Sequence, residues 1–291
     1  MTVLQSLLLG ILQGIAEFLP ISSSGHLAIV QELFGLEEVP LLFDVMLHLA
    51  TLLAVVIFFR KKIWELLKVF GRWITRKPAP ETTNPEDLLC GTEQRGRNTI
   101  IAIILTTLVT GVFGIFTSKL IPDLPIKFIC VGFIVTSVLL VVSSIITKKR
   151  SVIENTEEFK GISWKQALFV GFMQGIGTLP GISRSGSTIA GAQFCGVNRA
   201  AAGEYSFIVS IPAILGAFVL EAKDLGEVGS TIGIIPVVVG CLAAFIAGYF
   251  SLAVLMKIIK KGKLEWFACY LMPVAILGLI NTVKIPSSFK A

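Results

Sequence analysis

Charge is scarce in this sequence. Asp, Glu, Lys and Arg make up 15% of its 291 residues, where a typical soluble domain has about 25%. Beside 54% hydrophobic residues, so little charge excludes an ordinary water-soluble enzyme. It equally excludes a disordered chain, which needs low hydrophobicity and high charge. The five cysteines (Cys90, Cys130, Cys195, Cys241 and Cys269) form no C-x-x-C pair, and four lie in apolar stretches. Neither a disulfide framework nor a zinc site is expected from them. The N-terminal residues 1–16 lack the cationic start of a signal peptide and read as part of the mature fold. No basic groove interleaved with aromatics is present, so the net charge of +6 does not imply nucleic acid as a partner.

What is abundant is apolar sequence. Mean hydropathy is +0.83, and six runs with almost no ionisable residue are long enough to cross a bilayer of ~30 Å. They are 41–59, 99–117, 128–147, 200–220, 231–256 and 266–283, with Asp44, His48 and Glu204 as the acidic or histidine residues inside them. Two further apolar regions, 2–34 and 164–196, are broken in the middle. The first is interrupted at Glu17-Phe-Leu-Pro20 and Ser22-Ser-Ser-Gly-His26, the second at Leu179-Pro-Gly181 and Ser183-Arg-Ser-Gly186. Each arm is too short to span singly. Pro and Gly mark a turn and the serines a helix start, so each region reads as a re-entrant hairpin. Non-helical backbone at that depth is tolerated only against protein or a wet cavity.

The two broken regions repeat each other. With a shift of 161 residues, Gln13-Gly-Ile15 falls on Gln174-Gly-Ile176, Ile21-Ser22 on Ile182-Ser183, and Ser24-Gly25 on Ser185-Gly186. Each half then holds one hairpin, with no net crossing, and three spanning helices. Three is odd, so the second half is inverted relative to the first. The expected fold is an all-α polytopic membrane protein built as an inverted-topology repeat, 1–147 and 148–291, with 60–98 as a cytoplasmic loop. Of 25 Lys and Arg residues, 19 fall in the four segments that this topology puts inside. That bias predicts both termini outside. The stretch 78–97, polar and Pro-containing, reads as a mobile connection.

Ionisable groups within membrane depth are functional candidates by default. The hairpins offer Glu17, His26, Ser22, Ser23 and Ser24 on one side, and Arg184 with Ser183, Ser185, Ser187 and Thr188 on the other. The inventory suits an anion, phosphate above all. Ser-Gly turns leading into helices, with Gly25 and Gly186, present N–H groups and a positive dipole end to an oxyanion. Arg184 adds a planar fork for phosphate oxygens. His26 can move a proton, and a neighbouring serine is a candidate nucleophile. Structural alternatives stand beside these roles: Glu17–Arg184 as a plain ion pair, Ser23 as a helix cap with water as the nucleophile, and His48 with Asp44 as a satisfied polar pair.

Residues 13–26, QGIAEFLPISSSGH, and residues 180–188, PGISRSGST, together resemble the (E/Q)xxxE…PxSSxGH and PGxSRSxxT signatures of the undecaprenyl-pyrophosphate phosphatases, the bacitracin-resistance family. The resemblance covers nearly the whole chain. It implies hydrolysis of a C55 polyprenyl diphosphate to the monophosphate in the bacterial plasma membrane, recycling the lipid carrier of cell-wall synthesis. By position, Gln13 and Glu17 fill the (E/Q)xxxE pair, Ser23 and His26 the nucleophile and acid/base, and Arg184 the phosphate clamp. Ser183, Ser185 and Thr188 fill the remaining phosphate-contacting positions. The family pattern also implies a divalent cation, Mg²⁺ or Ca²⁺, and a homodimer. With Gln13 in the first acidic position, Glu17 is the one charged ligand left for that cation. A transporter or flippase shares the layout of broken inverted repeats around an anion site. A nucleophile beside a base is what transport does not need.

Overall fold

A computed structural model describes residues 1–36, 41–79, 87–120, 125–151, 161–221 and 233–284. Among these are eleven helices and no strand. In chain order they are α1 (Val3–Phe18), α2 (Ser23–Leu33), α3 (Leu41–Phe58), α4 (Arg60–Thr75), α5 (Glu93–Leu120), α6 (Ile126–Ser151), α7 (Trp164–Ile176), α8 (Arg184–Phe194), α9 (Arg199–Glu221), α10 (Ile234–Lys260) and α11 (Glu265–Lys284).

Local chemistry accounts for the broken pairs. Thr2 and Gln5 form a capping box that starts α1, and Ser163 and Gln166 form the matching box at α7. Pro20 follows the end of α1, and Gly177 with Pro180 follows α7, so neither helix continues. Both second arms stop at a glycine in the left-handed region, Gly35 (φ +64°) after α2 and Gly196 (φ +81°) after α8. The 161-residue offset carries Ser23–Leu33 onto Arg184–Phe194 end to end.

The long helices supply the bulk. α5, α6, α9 and α10 are each long and apolar enough to cross a membrane, and α3 with α4 passes that test only as a pair bent by 76°. Leu108, Val112 and Phe116 on α5 and Leu242 and Phe250 on α10 point outward, as lipid-facing positions do. The chain is a multi-pass helical membrane protein. α1 packs on α10 and α7 on α5, while α6 meets α11 and α3 meets α9. The first contact is backbone-close: a Cβ on Gly14 would lie 2.5 Å from the Ala244 carbonyl oxygen, and one on Gly10 only 2.2 Å from that of Gly240. Small residues at four-residue intervals permit that approach where lipid provides no hydrophobic drive between helices.

Part of the 60–98 segment expected as a loop is helical. α4 occupies Arg60–Thr75 and α5 already begins at Glu93. The seven cations between residues 60 and 77 mask an apolar period that tertiary contact makes usable. Residues 80–86 of the stretch read as a mobile connection lie outside the described residues. α6 runs on to Ser151, so the expected boundary at 147 falls inside a helix. Contacts gather one end of the bundle: Arg72 pairs with Glu93 at 2.9 Å, Lys148 with Glu265 at 2.6 Å, and Gly161, just before α7, packs on Arg95.

At that same end Lys62 of α4 bridges Asp87, at 3.1 Å, and Glu204 of α9. Burial pushes the Asp87 carboxyl up. The Lys62 ammonium and the N–H groups of Cys90 and Leu89 outweigh it and hold the carboxyl below its usual range. The resulting stabilisation is present at neutral pH and is lost as pH falls through that depressed value. Lys62→Met leaves two half-buried carboxylates facing each other without a cation. It is expected to destabilise the protein by about 3 kcal/mol, read as a fall of roughly 5 °C or more in the melting temperature in detergent.

Candidate active site

The tips of the two broken helix pairs meet. A Cβ on Gly186 would lie 3.2 Å from Pro20, and Arg184 of α8 pairs with Glu17 Oε1 at the end of α1. Residues 167 positions apart in the chain thus share one recess. Glu17 is buried and fully engaged. Its Oε2 accepts the Ser23 hydroxyl at 2.7 Å and the Gln13 amide at 3.1 Å, and lies 3.5 Å from Nε2 of His48. Four side chains from α1, α2, α3 and α8 therefore converge on one carboxylate.

The start of α2 is unusual in its backbone. Its N-cap, Ser22, sits at φ +68° and ψ +96° and makes no side-chain capping bond. Its buried hydroxyl has no protein partner. A non-glycine residue there is strained, at an order of 1–3 kcal/mol, and such strain gathers at functional sites. The consequence is that the N–H groups of the first turn of α2 lack the usual serine cap, beside Ser23 and next to Arg184. α8 differs: Ser183 caps it conventionally, accepting the Gly186 N–H at 3.1 Å, and contacts the Ser185 hydroxyl at 3.2 Å. The turn before it is pinned to α6. The Ser183 N–H donates to Thr136 at 3.0 Å, and Gly181 (φ +83°) lies so close that a Cβ would stand 2.2 Å from the Ile129 carbonyl oxygen. Only glycine meets both requirements there.

Histidine is arranged otherwise than the motif led us to expect. Nδ1 of His26 faces the Ser22 carbonyl at 2.9 Å and Nε2 faces the Tyr270 hydroxyl at 3.0 Å. A carbonyl only accepts, so Nδ1 carries the proton, and in the neutral ring Nε2 accepts from Tyr270. The ring packs between Phe133 and Tyr270, with centroids 4.9 and 5.7 Å away. His26 and Ser23, close together in the motif, thus have different partners: Ser23 donates to Glu17. The imidazole that meets the carboxylate is His48, whose Nδ1 donates to the Asp44 carbonyl at 2.7 Å. With that proton committed, Nε2 is the ring atom turned towards Glu17, 3.5 Å from its Oε2.

The other sequence candidates are spread around this centre. Ser24 is exposed at the rim, and Gly25 is buried against Phe133. Thr188 lies one turn into α8, its hydroxyl 2.9 Å from the Arg184 carbonyl, 3.1 Å from that of Ser185, and in contact with Ser206 of α9. It faces the interior of the bundle. Ser187 is buried with no protein partner for its hydroxyl. His48 and Tyr270 are the two contributors that motif reading did not place. The signal for His48 was the Asp44-to-His48 spacing inside an otherwise apolar helix; for Tyr270 there was none.

A divalent cation fits part of this donor set. Among the described residues no three His, Cys, Asp or Glu side chains cluster as a protein-only site. The carbonyl oxygen of the buried Gln13 amide has no protein partner and stands beside the Glu17 carboxylate. One carboxylate and one amide oxygen are hard ligands of the kind Mg²⁺ and Ca²⁺ take, with the remaining positions left to substrate oxygens and water.

Comparison with known proteins shows the family. A family model described as bacitracin resistance protein BacA matches residues 6–277. A protein of Treponema denticola named undecaprenyl-diphosphatase is 46% identical over 279 residues, 96% of this chain and 97% of that protein. Proteins of the same name from Alkaliphilus metalliredigens and Borrelia recurrentis are each 38% identical, over 96% and 94% of this chain and 98% and 97% of their own.

Proposed function

The chain belongs to the bacitracin resistance protein BacA family, and from that premise we propose that it hydrolyses undecaprenyl diphosphate to the monophosphate and phosphate. The reaction recycles the lipid carrier of cell-wall synthesis and confers bacitracin resistance. The observation that carries the reading is the Ser23 hydroxyl donating to Glu17 at 2.7 Å, beside Arg184 and at a helix start without its cap. A transport site for an anion has no use for a nucleophile held on a carboxylate.

In this mechanism Glu17 removes the proton from Ser23 as its oxygen attacks the terminal phosphorus in line. The bridging P–O bond breaks and the lipid monophosphate leaves. Arg184 and the open N–H groups of α2 stabilise the charge on the equatorial oxygens. Glu17 passes the Ser23 proton to the departing monophosphate oxygen. Water then attacks the phosphoserine with Glu17 again as base, and inorganic phosphate leaves as Glu17 returns the proton to the Ser23 oxygen. Gln13 and Glu17 would hold a divalent cation against the diphosphate, where it supplies Lewis-acid neutralisation of phosphate charge. His26, tied to the Ser22 carbonyl and to Tyr270, orients the start of α2.

The reading includes an inverted repeat at membrane depth. It is supported by the shared 161-residue register of α2 and α8, by α1–α10 packing mirrored in α7–α5, and by two tips that meet. The Lys and Arg bias then sets the crowded end of the bundle in the cytoplasm and both termini outside.

Purified protein supplied with C55 diphosphate in detergent is expected to release inorganic phosphate, with acid quench trapping phosphate on Ser23. Ser23→Ala is expected to lose about 10³-fold or more. Release from Ser23→Ala at about a tenth of the original rate or better would transfer the attack to a water held by Glu17. His48→Gln removes the imidazole that faces Glu17 while keeping a polar group. It is expected to lower kcat roughly tenfold with little change in KM, and equal loss in both would assign His48 to substrate binding.

A further inference from the structure

α4 carries a surface that neither the active site nor the bundle uses. It begins two residues after α3 ends and turns from its axis by 76°, so it leaves the direction of the spans. Around its circumference the residues divide into three stripes. Leu66 and Val69 are buried against the bundle, and on the same side Lys62 is held by Asp87 and Glu204. That clasp fixes the rotation of the helix about its own axis. A second stripe, Trp64, Leu67, Phe70 and Ile74, recurs at intervals of three and four residues, and these residues are 59%, 54%, 41% and 66% exposed. The third holds Lys61, Lys68, Arg72 and Arg76, with Glu65 the one acid among them.

An apolar stripe flanked by cations is the composition of a helix lying in a bilayer surface. The same end of the bundle repeats the chemistry twice. Trp164 at the start of α7 and Trp266 at the start of α11 are 57% and 58% exposed. Lys165 stands over the first ring at 5.5 Å from its centroid and Lys263 over the second at 4.3 Å, as Lys68 does over Trp64 at 5.9 Å. Indoles settle at headgroup depth, and an ammonium beside each reaches lipid phosphate. Charge complementarity therefore selects the occupant: a leaflet with negative headgroups.

We infer that α4 lies in the membrane surface at the Lys- and Arg-rich end of the bundle, with Trp64, Leu67, Phe70 and Ile74 in the acyl boundary and Lys61, Lys68 and Arg76 on the phosphates of anionic lipids. The helix recruits anionic lipid to that leaflet and anchors the long connection between α3 and α5.

The test uses the full chain with Trp64 as its sole tryptophan (Trp73→Phe, Trp164→Phe, Trp266→Phe), in mixed phosphatidylcholine and phosphatidylglycerol bilayers. Acyl chains are brominated on one lipid or the other at equal mole fraction. Trp64 emission is expected to be quenched by both, about twofold more strongly when the bromine is on phosphatidylglycerol. Lys61→Gln/Lys68→Gln/Arg76→Gln is expected to remove that difference while quenching persists. Equal quenching by the two lipids in the parent chain would overturn the headgroup assignment. Emission quenched by aqueous iodide and by neither lipid would overturn the placement in the membrane. Quenching that grows on dilution into excess lipid would give the surface to a second copy of the chain instead. In the otherwise native chain the same triple variant is expected to retain fewer phosphatidylglycerol molecules in native mass spectrometry, a readout independent of the tryptophan replacements; unchanged retention would overturn the anionic contact.

Discussion

A Glu17→Gln variant is expected to release phosphate from undecaprenyl diphosphate at least about 10³-fold more slowly than the parent protein, at saturating substrate. The substitution keeps the size of the side chain and its capacity to accept hydrogen bonds, so Ser23 and Gln13 keep an acceptor. What it removes is the proton acceptor and the negative charge. In a recess where Ser23, Gln13, His48 and Arg184 all address this one carboxylate, no other acid among these contacts can take the proton from Ser23. The loss is therefore expected in kcat. A variant that kept more than about a tenth of parental kcat would remove Glu17 as the base.

Arg184 predicts a loss of similar size for a different reason. Arg184→Ala is expected to lower kcat/KM by about 10³-fold or more, the range over which a guanidinium stabilises phosphoryl transfer. Arg184→Lys keeps the charge and loses the fork, and about 10²-fold loss is expected of it. Either Glu17→Gln or Arg184→Ala alone leaves a mostly buried partner uncompensated, at about 3–5 kcal/mol of stability, so activity loss must be separated from unfolding. Glu17→Gln/Arg184→Met does this: the melting temperature is expected to recover relative to the single variants, and phosphate release is not. Recovery of both would make the pair structural, and Arg184→Lys at full rate would remove the clamp.

How much of this was legible in the chain varies by element. The broken pairs were legible because Pro, Gly and Ser act locally: Pro20 stands just past the end of α1, and Thr2–Gln5 and Ser163–Gln166 each close a capping box from their own side chains. The offset of 161 residues was legible for the same reason, and α2 and α8 obey it at both ends. α4 was not, because its cations hid two apolar periods, one facing protein and one facing outward. Residues 60–98 therefore read as loop. Motif reading placed Gln13, Glu17, Ser23 and Arg184, and the fold brings these four together. The partner of Ser23 was not legible: it donates to Glu17, and one helical turn carries His26 to Tyr270, 244 residues distant. Nothing in the sequence around Tyr270 marks it.

By composition and order alone, the chain determined that it lies in a membrane, where its helices break, and that the two broken pairs share a 161-residue register. Those properties follow from lipid solvation and backbone sterics, which act within a few residues. Only tertiary structure decided which hydroxyl faces which base, that His48 reaches the carboxylate, and that Ser22 leaves a helix start open. Each depends on the rotation and depth at which separate helices pack, and side-chain directions a single turn apart settle the chemistry.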